Sequence, residues 1–490
     1  MWYGLSSILA RFLNYLLTPY LTAKLLMGDY GEMSIIYAFL PFLNVLFTYG
    51  METTYFRYTN KDDDPKKVFN TISLSIITST ALLTTALLLS RDGLAQMLRL
   101  SDHPEFITWT IWIIALDALT AIPYAKLRND GKPRLYAAIR IIGILVNIGL
   151  VFFFYSVLPG LAISNPDSVF ASWYDPQLGA GYVILANLVQ SLITFILLSK
   201  GFFSVRFNVD GKLWRQMMIY ALPIMVAGFG GMINETFDRL MLAWLAPGGS
   251  EEAAKAQVGI YSACYKLSLL ITLFIQAFRM GAEPFFFQQA KGEDAPKTYA
   301  RVMNYFVLAI CMMFLFVVLY LDIWKEFIQN EQMYVGLHIV PILLIANMCL
   351  GVYYNLSIWY KLSHRTTAGA VITFIGAAVT VLINYLFIPQ YGFTACAWAT
   401  LACYGSMMLI SYFWGQKVYP VPYATGRILR HFGAALLLYA LHLLIVSSSD
   451  NTLVYYASST VLFATYIMYV FWAERSLMQL LPLGRNRRSA

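Results

Sequence analysis

The chain has 490 residues, of which 59% are hydrophobic and only 12% are Asp, Glu, Lys or Arg. A soluble domain carries about 25% charged residues, so this chain has too little charge to cover a water-facing surface. Composition therefore excludes a soluble enzyme, and the 16% of aromatic residues excludes a disordered or fibrous chain. The sequence predicts a protein that lies in lipid.

Fourteen runs of mostly apolar residues follow one another along the chain. Each is close to the roughly 20 residues that a helix needs to cross the hydrocarbon core. The predicted spans are 4–27, 31–53, 68–90, 106–124, 136–158, 179–199, 216–246, 259–284, 302–324, 338–360, 366–389, 391–414, 428–447 and 453–473. No gap between spans exceeds about 20 residues, which leaves no room for a separate catalytic domain. The predicted fold class is an all-α polytopic membrane protein.

Lys and Arg are divided unevenly between alternate loops. One set of loops holds 24 of the 34 basic residues, the other set holds five, and five lie within the spans. Because basic residues are retained on the cytoplasmic side, the first set and both termini are predicted to be cytoplasmic. The net charge of +8 is then mainly a topology signal and not a nucleic-acid footprint. We call the span ends next to the first set inner, and the opposite ends outer.

Neither metal nor cofactor chemistry is indicated. The five cysteines lie in apolar runs, with no CxxC pair and no histidine close enough to complete a metal site. A phosphate loop of the form GxxxxGK[ST] is absent, so hydrolysis of ATP by this chain is not expected. We predict a transporter without a resident cofactor, driven by H⁺ coupling, by Na⁺ coupling or by the membrane potential.

An internal repeat relates spans 1–6 to spans 7–12. The offset between matching residues rises from 217 to 237, as insertions in the second copy require: Tyr3/Tyr220, Gly31/Gly259, Glu52/Glu283, Asn70/Asn304, Lys126/Lys361 and Asn147/Asn384. Because six is even, both copies have the same orientation and are related by a pseudo-two-fold axis along the membrane normal. We predict an N-lobe at 1–200, a C-lobe at 201–417, and two further helices with a basic tail at 418–490. A substrate would bind in the cleft between the lobes.

Five basic residues lie within the spans, namely Arg11, Arg140, Arg239, Lys266 and Arg279. A charge at the helix centre costs about 2.5–3.5 kcal/mol on insertion scales, so such residues usually face an interior or an aqueous cavity. Arg140 is close enough to the inner end to extend its head group to the surface. Arg11 and Arg279 lie deeper, in different lobes. Their planar donors match phosphate oxygens and predict an anion site, with local pairing or snorkelling as the alternative.

Acidic residues within the spans are candidates for ion coupling. Glu235 and Arg239 are at i and i+4 in span 7, so we expect their charges to neutralise each other. Asp117 lies near the middle of span 4 with no basic neighbour one turn away. A carboxylate in that position carries a proton, binds Na⁺, or is packed in its protonated form. Candidate coupling residues are therefore Asp117, Asp238 and Glu235, and Lys266 is a candidate contact along an export path.

Four segments, 3–19, 31–34, 258–267 and 278–287, resemble the bacterial polysaccharide-biosynthesis flippases. These form the Wzx-type branch of the multidrug/oligosaccharidyl-lipid/polysaccharide (MOP) exporter superfamily. The resemblance implies a MATE/MurJ-like fold of 6+6+2 spans and transfer of undecaprenyl-diphosphate-linked oligosaccharide from the cytoplasmic to the outer leaflet. Family members have a cationic central cavity lined by the first two helices of each lobe. The substrate-site residues predicted on this basis are Arg11, Arg279, Arg239, Lys266, Asn14, Glu52 and Glu283.

The same resemblance implies a monomer in the bacterial inner membrane whose partners are lipid, the lipid-linked oligosaccharide, a polymerase and glycosyltransferases. The repeat unit could belong to O-antigen, capsule or exopolysaccharide. Relatives begin with a short basic, amphipathic lead-in, so we expect the natural start of this protein to lie upstream.

Three other functions are alternatives to an oligosaccharide flippase. A lipid II flippase shares the fold and the chemistry. A cation-coupled multidrug exporter binds its drugs through acidic residues, whereas span 1 has Arg11 and no carboxylate. A membrane polymerase or ligase needs a large outer loop with a catalytic Arg or His, and the longest outer loop, 159–178, has neither.

Overall fold

A computed structural model describes residues 2–60, 64–202, 205, 210–290, 292, 294–448 and 451–474, except the side chains of residues 2–8, 10 and 11. Throughout these residues the chain is almost wholly helical and forms no strand. Thirteen helical segments in the described part are long and apolar enough to cross a membrane. They follow helix α1 (Trp2–Lys24), which lies where the first span was expected. The predicted all-α membrane fold is confirmed.

The helices of the first repeat are interrupted more often than the sequence suggested. The helices after α1 are α2 (Met27–Thr48), α3 (Met51–Thr59), α4 (Pro65–Leu89), α5 (Arg91–Met97), α6 (Pro104–Asn129), α7 (Pro133–Phe152), α8 (Leu158–Ser164), α9 (Val169–Trp173) and α10 (Gly181–Phe202). A π-helical turn, Phe153–Val157, joins α7 to α8, and a short 3-10 turn, Pro176–Leu178, precedes α10.

Two very long helices begin the second repeat, and a longer irregular segment precedes its fourth span. The helices are α11 (Gly211–Leu245), α12 (Glu251–Gln289), α13 (Ala295–Val318), α14 (Leu321–Trp324), α15 (Val340–Leu356), α16 (Ile358–Leu362), α17 (Thr366–Tyr391), α18 (Phe393–Val418), α19 (Thr425–Ser447) and α20 (Thr452–Ala473). Two 3-10 turns, Lys325–Phe327 and Glu331–Ile339, lead from α14 into α15.

The chain divides into two compact units. Unit 1 comprises Met1–Cys264, Ile328–Gly336 and Thr373–Cys403, and unit 2 comprises Tyr265–Phe327, Leu337–Ile372 and Tyr404–Ala490. Three of the boundaries fall inside α12, α17 and α18, so the units are not the two sequence repeats. The lobe boundaries at 200 and 417 stay a prediction, as does the cytoplasmic location of the termini. Some loop cations used for that topology, including Lys61, Arg206 and the tail 475–490, lie outside the described residues.

Helix α2 of unit 1 packs against two other long helices. Leu43 and Phe47 on one side of α2 are buried against Ile114 and Ala118 of α6. The opposite side contacts α11, where the Thr236 hydroxyl donates to the Ala38 carbonyl at 3.1 Å. Burial on two sides leaves a third face of α2 between α6 and α11.

The inner end of the second span is broken by two residues in the left-handed region. Tyr49 has φ 33° and Gly50 has φ 74°, which ends α2 and starts α3 in a new direction. A Cβ on Gly50 would lie 2.9 Å from the Ala221 carbonyl oxygen, so only glycine fits both the dihedral angle and the approach. The repeat-related Gly281 lies inside the unbroken helix α12. One sequence motif thus occurs in two backbone conformations.

A backbone crossing joins α2 to the outer half of α12 within unit 1. A Cβ on Gly31 would lie 1.9 Å from the Lys255 carbonyl oxygen, and a Cβ on Gly259 would lie 2.2 Å from that of Met27. Each glycine faces the residue four positions before the other, so the contact has the two-fold symmetry expected of the repeat. Only small residues permit helices to approach so closely in a membrane.

Two ion pairs of Lys255 lie next to this crossing. The Lys255 ammonium lies 2.8 Å from Glu32 and 3.3 Å from Asp102, with Lys255 and Glu32 both less than one-tenth exposed. Arg99 and Glu251 form a longer pair of 3.7 Å beside it. Because Glu32 follows Gly31 directly, the close crossing and the charge pair hold the same two helices together.

At the inner end, an ion pair connects α4 to the start of α11. The Asp210 carboxylate lies 2.6 Å from the Lys67 ammonium and caps the first turn of α11 through the Lys212 and Leu213 amides. The bond from Lys67 and the two amide bonds lower the pKa of Asp210 to about 2. Since a depressed carboxyl pKa gives stability that is lost only as pH falls through the folded value, this link persists throughout the neutral range.

In unit 2 a buried carboxylate joins the last two helices to α13. Glu474, directly after α20, accepts from the Asn304 side chain of α13 at 2.9 Å and from Arg427 of α19 at 3.3 Å. His431 of α19 lies 3.6 Å from the same carboxylate. Spans 13 and 14 are therefore attached to the rest of unit 2 by charge as well as by apolar packing.

Gly31→Ala should destabilise the protein, because the new methyl group meets a carbonyl oxygen that cannot move without separating α2 from α12. Overpacking of this kind costs about 1–3 kcal/mol. Gly28→Ala on the same helix is the matched control, since a Cβ there meets nothing within 4 Å. Thermal unfolding in detergent should show a lower midpoint for Gly31→Ala alone. Equal midpoints would contradict the close crossing.

Candidate functional site

Three charged side chains of unit 2 meet near the inner end of α12. The Arg279 Nε donates to Glu283 Oε1 at 3.0 Å, and the Lys361 ammonium of α16 lies 2.7 Å from the same oxygen. Arg279 and Glu283 are one helical turn apart, so both project from the same face of α12. The cluster contains two cations and one carboxylate and carries a net charge of +1.

Arg279 keeps most of its donors available. Its guanidinium carbon lies 4.4 Å from the centre of the Tyr354 ring, which fixes the plane of the group. Within the part of the chain that the structure describes, its two terminal nitrogens donate no hydrogen bond, and its side chain is 42% exposed. The cluster lines a pocket with Phe278, Phe286 and Asn355. An oriented, half-exposed guanidinium with free paired donors is suited to bind an oxyanion.

The first repeat contains a similar ion pair without the extra arginine, and its cation lies two residues later in the repeat register. Arg128 of α6 lies 2.5 Å from Glu52 of α3, which is the repeat counterpart of Glu283. Arg128 also lies 4.8 Å from the centre of the Phe56 ring. At the offset of 231 residues that relates Glu52 to Glu283, the residue equivalent to Arg279 is Thr48. The first copy is therefore neutral, and Arg279 is an addition to a pair that both copies share.

The prediction that Arg239 pairs with the Glu235 carboxylate was wrong. The guanidinium bonds to the carboxylate of Asp238 at 3.0 Å and to the main-chain oxygen of Glu235 at 3.1 Å, not to the Glu235 carboxylate. Asp238 also accepts from the Tyr261 hydroxyl of α12 at 2.5 Å, and Arg239 lies over the same ring. Asp238 is buried, so its charge and that of Arg239 satisfy each other inside unit 1.

Asp117, at the middle of α6, has neighbours that lie far from it in sequence. Its carboxylate lies beside the Ser191 hydroxyl of α10, and Arg140 of α7 is the cation whose charge acts on it. Arg140 also donates to the Tyr136 hydroxyl at 2.8 Å. This arrangement forms a polar cluster among α6, α7 and α10, within the membrane-spanning part of unit 1.

The remaining predicted site residues divide into three groups. Asn14 and Glu235 are exposed on α1 and α11, and the Glu235 carboxylate has no partner within the described residues. Lys266 is half-buried on α12 and has a contact. The side chain of Arg11 lies outside what the structure describes, so its part in an anion site stays a prediction.

Sequence reasoning missed Lys361, Tyr354 and Tyr261 as partners of the charged groups. Lys361 was counted among the loop cations, and its repeat counterpart Lys126 lies over the Phe69 ring and not beside Glu52, so the repeat did not signal the pairing. Among the described residues, no group of three or more His, Cys, Asp or Glu could hold a metal ion. The chemistry available at these sites is ion pairing and hydrogen bonding.

Comparison with known proteins decides the family. A family model described as "Polysaccharide biosynthesis protein" matches residues 1–290. The chain belongs to the polysaccharide biosynthesis protein family. No curated protein matches the sequence of this family member.

Solved structures resemble this polysaccharide biosynthesis protein in fold. A lipid II flippase MurJ in an inward closed conformation is 15% identical, with a TM-score of 0.69 over 97% of this chain and 99% of that one. An inward-facing multidrug resistance MATE family transporter of the MOP superfamily is 11% identical, with a TM-score of 0.63 over 86% and 96%. At such identities the likeness establishes a fold shared with these two proteins and nothing further. Family membership and the thirteen candidate spans of the described residues make it a multi-pass membrane protein.

Asp238→Ala should destabilise the protein strongly, because Arg239, only 12% exposed, would lose its counter-ion. Removing one partner of a buried ion pair costs about 3–5 kcal/mol. Glu235→Gln is the matched control, since its carboxylate has no partner among the described residues. We expect a lower unfolding midpoint in detergent for Asp238→Ala only. A comparable loss in Glu235→Gln would show that the assigned pairing is incorrect.

Proposed function

We propose that this protein is a flippase that moves an undecaprenyl-diphosphate-linked oligosaccharide across the membrane by alternating access. Family membership and the MOP exporter fold support transport of a lipid-linked sugar precursor. The observation that carries the proposal is Arg279, a cation added to an otherwise neutral, repeated ion pair and left with free donors.

The diphosphate would bind to the terminal nitrogens of Arg279. Two parallel N–H donors match two phosphate oxygens, and the pairing is stronger than a neutral hydrogen bond. Glu283 would stay with Lys361, which already approaches it more closely than Arg279 does. Lys361 thus keeps the resident carboxylate from competing with the substrate. On this proposal, Glu52 serves as the equivalent structural acid of the first repeat.

A negative-inside potential would favour export of the anionic headgroup. Moving one charge across 100 mV changes the free energy by about 2.3 kcal/mol, so two diphosphate charges gain about 4–5 kcal/mol. Where a coupling ion contributes as well, Asp117 is the stronger candidate residue, because Asp238 is already neutralised by Arg239. A proton or Na⁺ at Asp117 would act within electrostatic reach of Arg140.

Opening of the outer side would require α2 and α12 to separate at the Gly31/Gly259 crossing. The Lys255 pairs with Glu32 and Asp102 would then break. In the present structure both contacts are made, which supports an outer end that is closed.

A lipid II flippase is the second candidate function. The similarity to the MurJ structure over nearly the whole chain favours it, and the same anion site would serve a lipid-linked diphosphate of either kind. Complementation of a strain depleted of its own lipid II flippase discriminates the two, because only this alternative predicts rescue.

Arg279→Thr should abolish surface polysaccharide, since it converts the second repeat to the neutral arrangement of the first. The Glu52 and Arg128 pair indicates that such an arrangement is stable, so the variant should stay in the membrane in normal amount. The measurement is surface polysaccharide in a deletion strain, together with protein in the membrane fraction. Arg365→Thr, at an exposed position in the following loop, is the control. Normal polysaccharide in Arg279→Thr would refute the anion site.

Transport by the purified protein in liposomes should depend on the membrane potential. A potassium gradient with valinomycin sets the inside negative or positive, and accessibility of the lipid-linked substrate in the outer leaflet is followed with a lectin. Export should be faster at a negative inside. Equal rates at both signs would eliminate the potential as the driving force.

A further inference from the structure

Polar side chains without partners follow the third face of α2, between α6 and α11. Tyr37 and Asn44 are both exposed, and their separation of seven residues places them on the same face, two turns apart. Within the described residues, neither the Tyr37 hydroxyl nor the Asn44 amide nitrogen makes a hydrogen bond. The Asn44 side-chain oxygen has only a long contact of 3.5 Å with Thr48.

Glu235 of α11 lies next to this face. Thr236, its neighbour in sequence, donates to the Ala38 carbonyl of α2, so Glu235 is at the depth of the residues just after Tyr37. The side chain is exposed, and its carboxylate has no hydrogen bond or ion pair in the described chain.

Glu235 and Asn14 point away from the exposed apolar faces of their own helices. On α11 the exposed apolar residues Ile219, Leu222 and Val226 share one face, and at 3.6 residues per turn Glu235 lies about 160° around the helix from Ile219. On α1, exposed Asn14 is likewise about 140–160° from the exposed apolar Leu9, Phe12 and Leu16.

An unpaired polar group in contact with lipid tails is strongly unfavourable. Glu235, which faces away from the apolar surface of α11, and the exposed polar groups of α2 next to it therefore indicate a water-filled cavity in unit 1.

The chemistry of this wall suits a neutral polyol. An amide both donates and accepts, a phenol does the same, and a carboxylate accepts from two neighbouring hydroxyl groups. Glu235 would repel a phosphate, because like charges in a poorly screened site disfavour each other. The wall is thus suited to the saccharide and unsuited to the diphosphate.

We propose that Tyr37, Asn44 and Glu235 form the sugar-binding wall of this protein, and contact the saccharide portion of the lipid-linked substrate. The inference rests on the proposed flippase function and deepens it. The wall would select among saccharides, whereas the charged headgroup is common to all substrates of this class. Asn14 of α1 is a fourth polar group available to the same cavity.

Binding of two lipids by the full-length protein in nanodiscs tests the wall. One probe is undecaprenyl diphosphate, which has no sugar. The other is the lipid-linked oligosaccharide extracted from cells that lack this transporter, where it accumulates. Glu235→Gln and Asn44→Leu should each weaken binding of the oligosaccharide lipid about tenfold, equivalent to about 1.4 kcal/mol, and leave binding of undecaprenyl diphosphate unchanged.

The control variants separate this inference from the proposed function. Leu222→Ala, on the lipid face of α11, should bind both lipids like the wild type, and Arg279→Thr should lose both. Variants of the wall that bind the oligosaccharide lipid normally, or that weaken both lipids equally, would overturn the sugar wall while leaving the anion site intact. Wild-type protein that binds neither lipid would overturn both proposals.

A pH profile distinguishes sugar binding from proton coupling at Glu235. On the proposed role, Glu235→Gln transports more slowly at every pH and keeps the pH dependence of the wild type. Normal affinity for the oligosaccharide lipid combined with a lost pH dependence would instead identify Glu235 as a proton carrier and reject its place in the wall.

Discussion

A charged or polar group in hydrocarbon must be paired or hydrated, and this requirement decides where most ionisable side chains of the bundle lie. Asp238 meets it with Arg239 and Tyr261, and Lys255 meets it with Glu32, in both cases almost without exposure. Pairs of this kind hold helices together but have no capacity left for a ligand. Groups that remain exposed and unbonded in the spans are therefore the informative ones. In the described chain these include the terminal donors of Arg279, the polar face that Glu235 shares with α2, and Asp117.

The duplication supplies an internal comparison for each of these features. In both copies a Glu is paired with a cation that lies just after the fourth span of the repeat. This recurrence identifies the ion pair as part of the scaffold. Arg279 in place of Thr48 occurs once, and a feature present in one copy is not needed to build the other. The backbone gives the same kind of contrast, since Gly50 breaks its helix and Gly281 does not. The two copies therefore share a fold and differ in charge and in local shape where a ligand would bind.

The sequence was sufficient for the fold because lipid imposes a simple rule: each span must be helical and about 20 residues long. It was less informative about partners. Arg279 and Glu283 could be paired from their i, i+4 spacing, whereas Lys361 is 78 residues from Glu283 and is brought to it only by tertiary packing. The same spacing rule failed for Arg239, because Tyr261 of another helix holds Asp238 in the interior and makes it the better counter-ion. The i, i+4 spacing describes contacts within one helix. Residues of the neighbouring helix determine which of the possible counter-ions is paired.

On the proposed function, the net charge of the Arg279 cluster would have a consequence for an export cycle driven by the membrane potential. An empty cluster at +1 and a cluster loaded with a substrate of charge −2, net −1, have equal and opposite charge. A negative-inside potential then favours outward reorientation of the loaded form and inward return of the empty form equally, each by about 2.3 kcal/mol per 100 mV. Without Glu283 the empty form would carry +2 and the loaded form none, so only the return would be driven. The resident carboxylate therefore does not reduce the total gain, which depends on the charge exported. It would divide this free energy between the outward movement of the loaded form and the inward return of the empty form, so that the potential drives both steps.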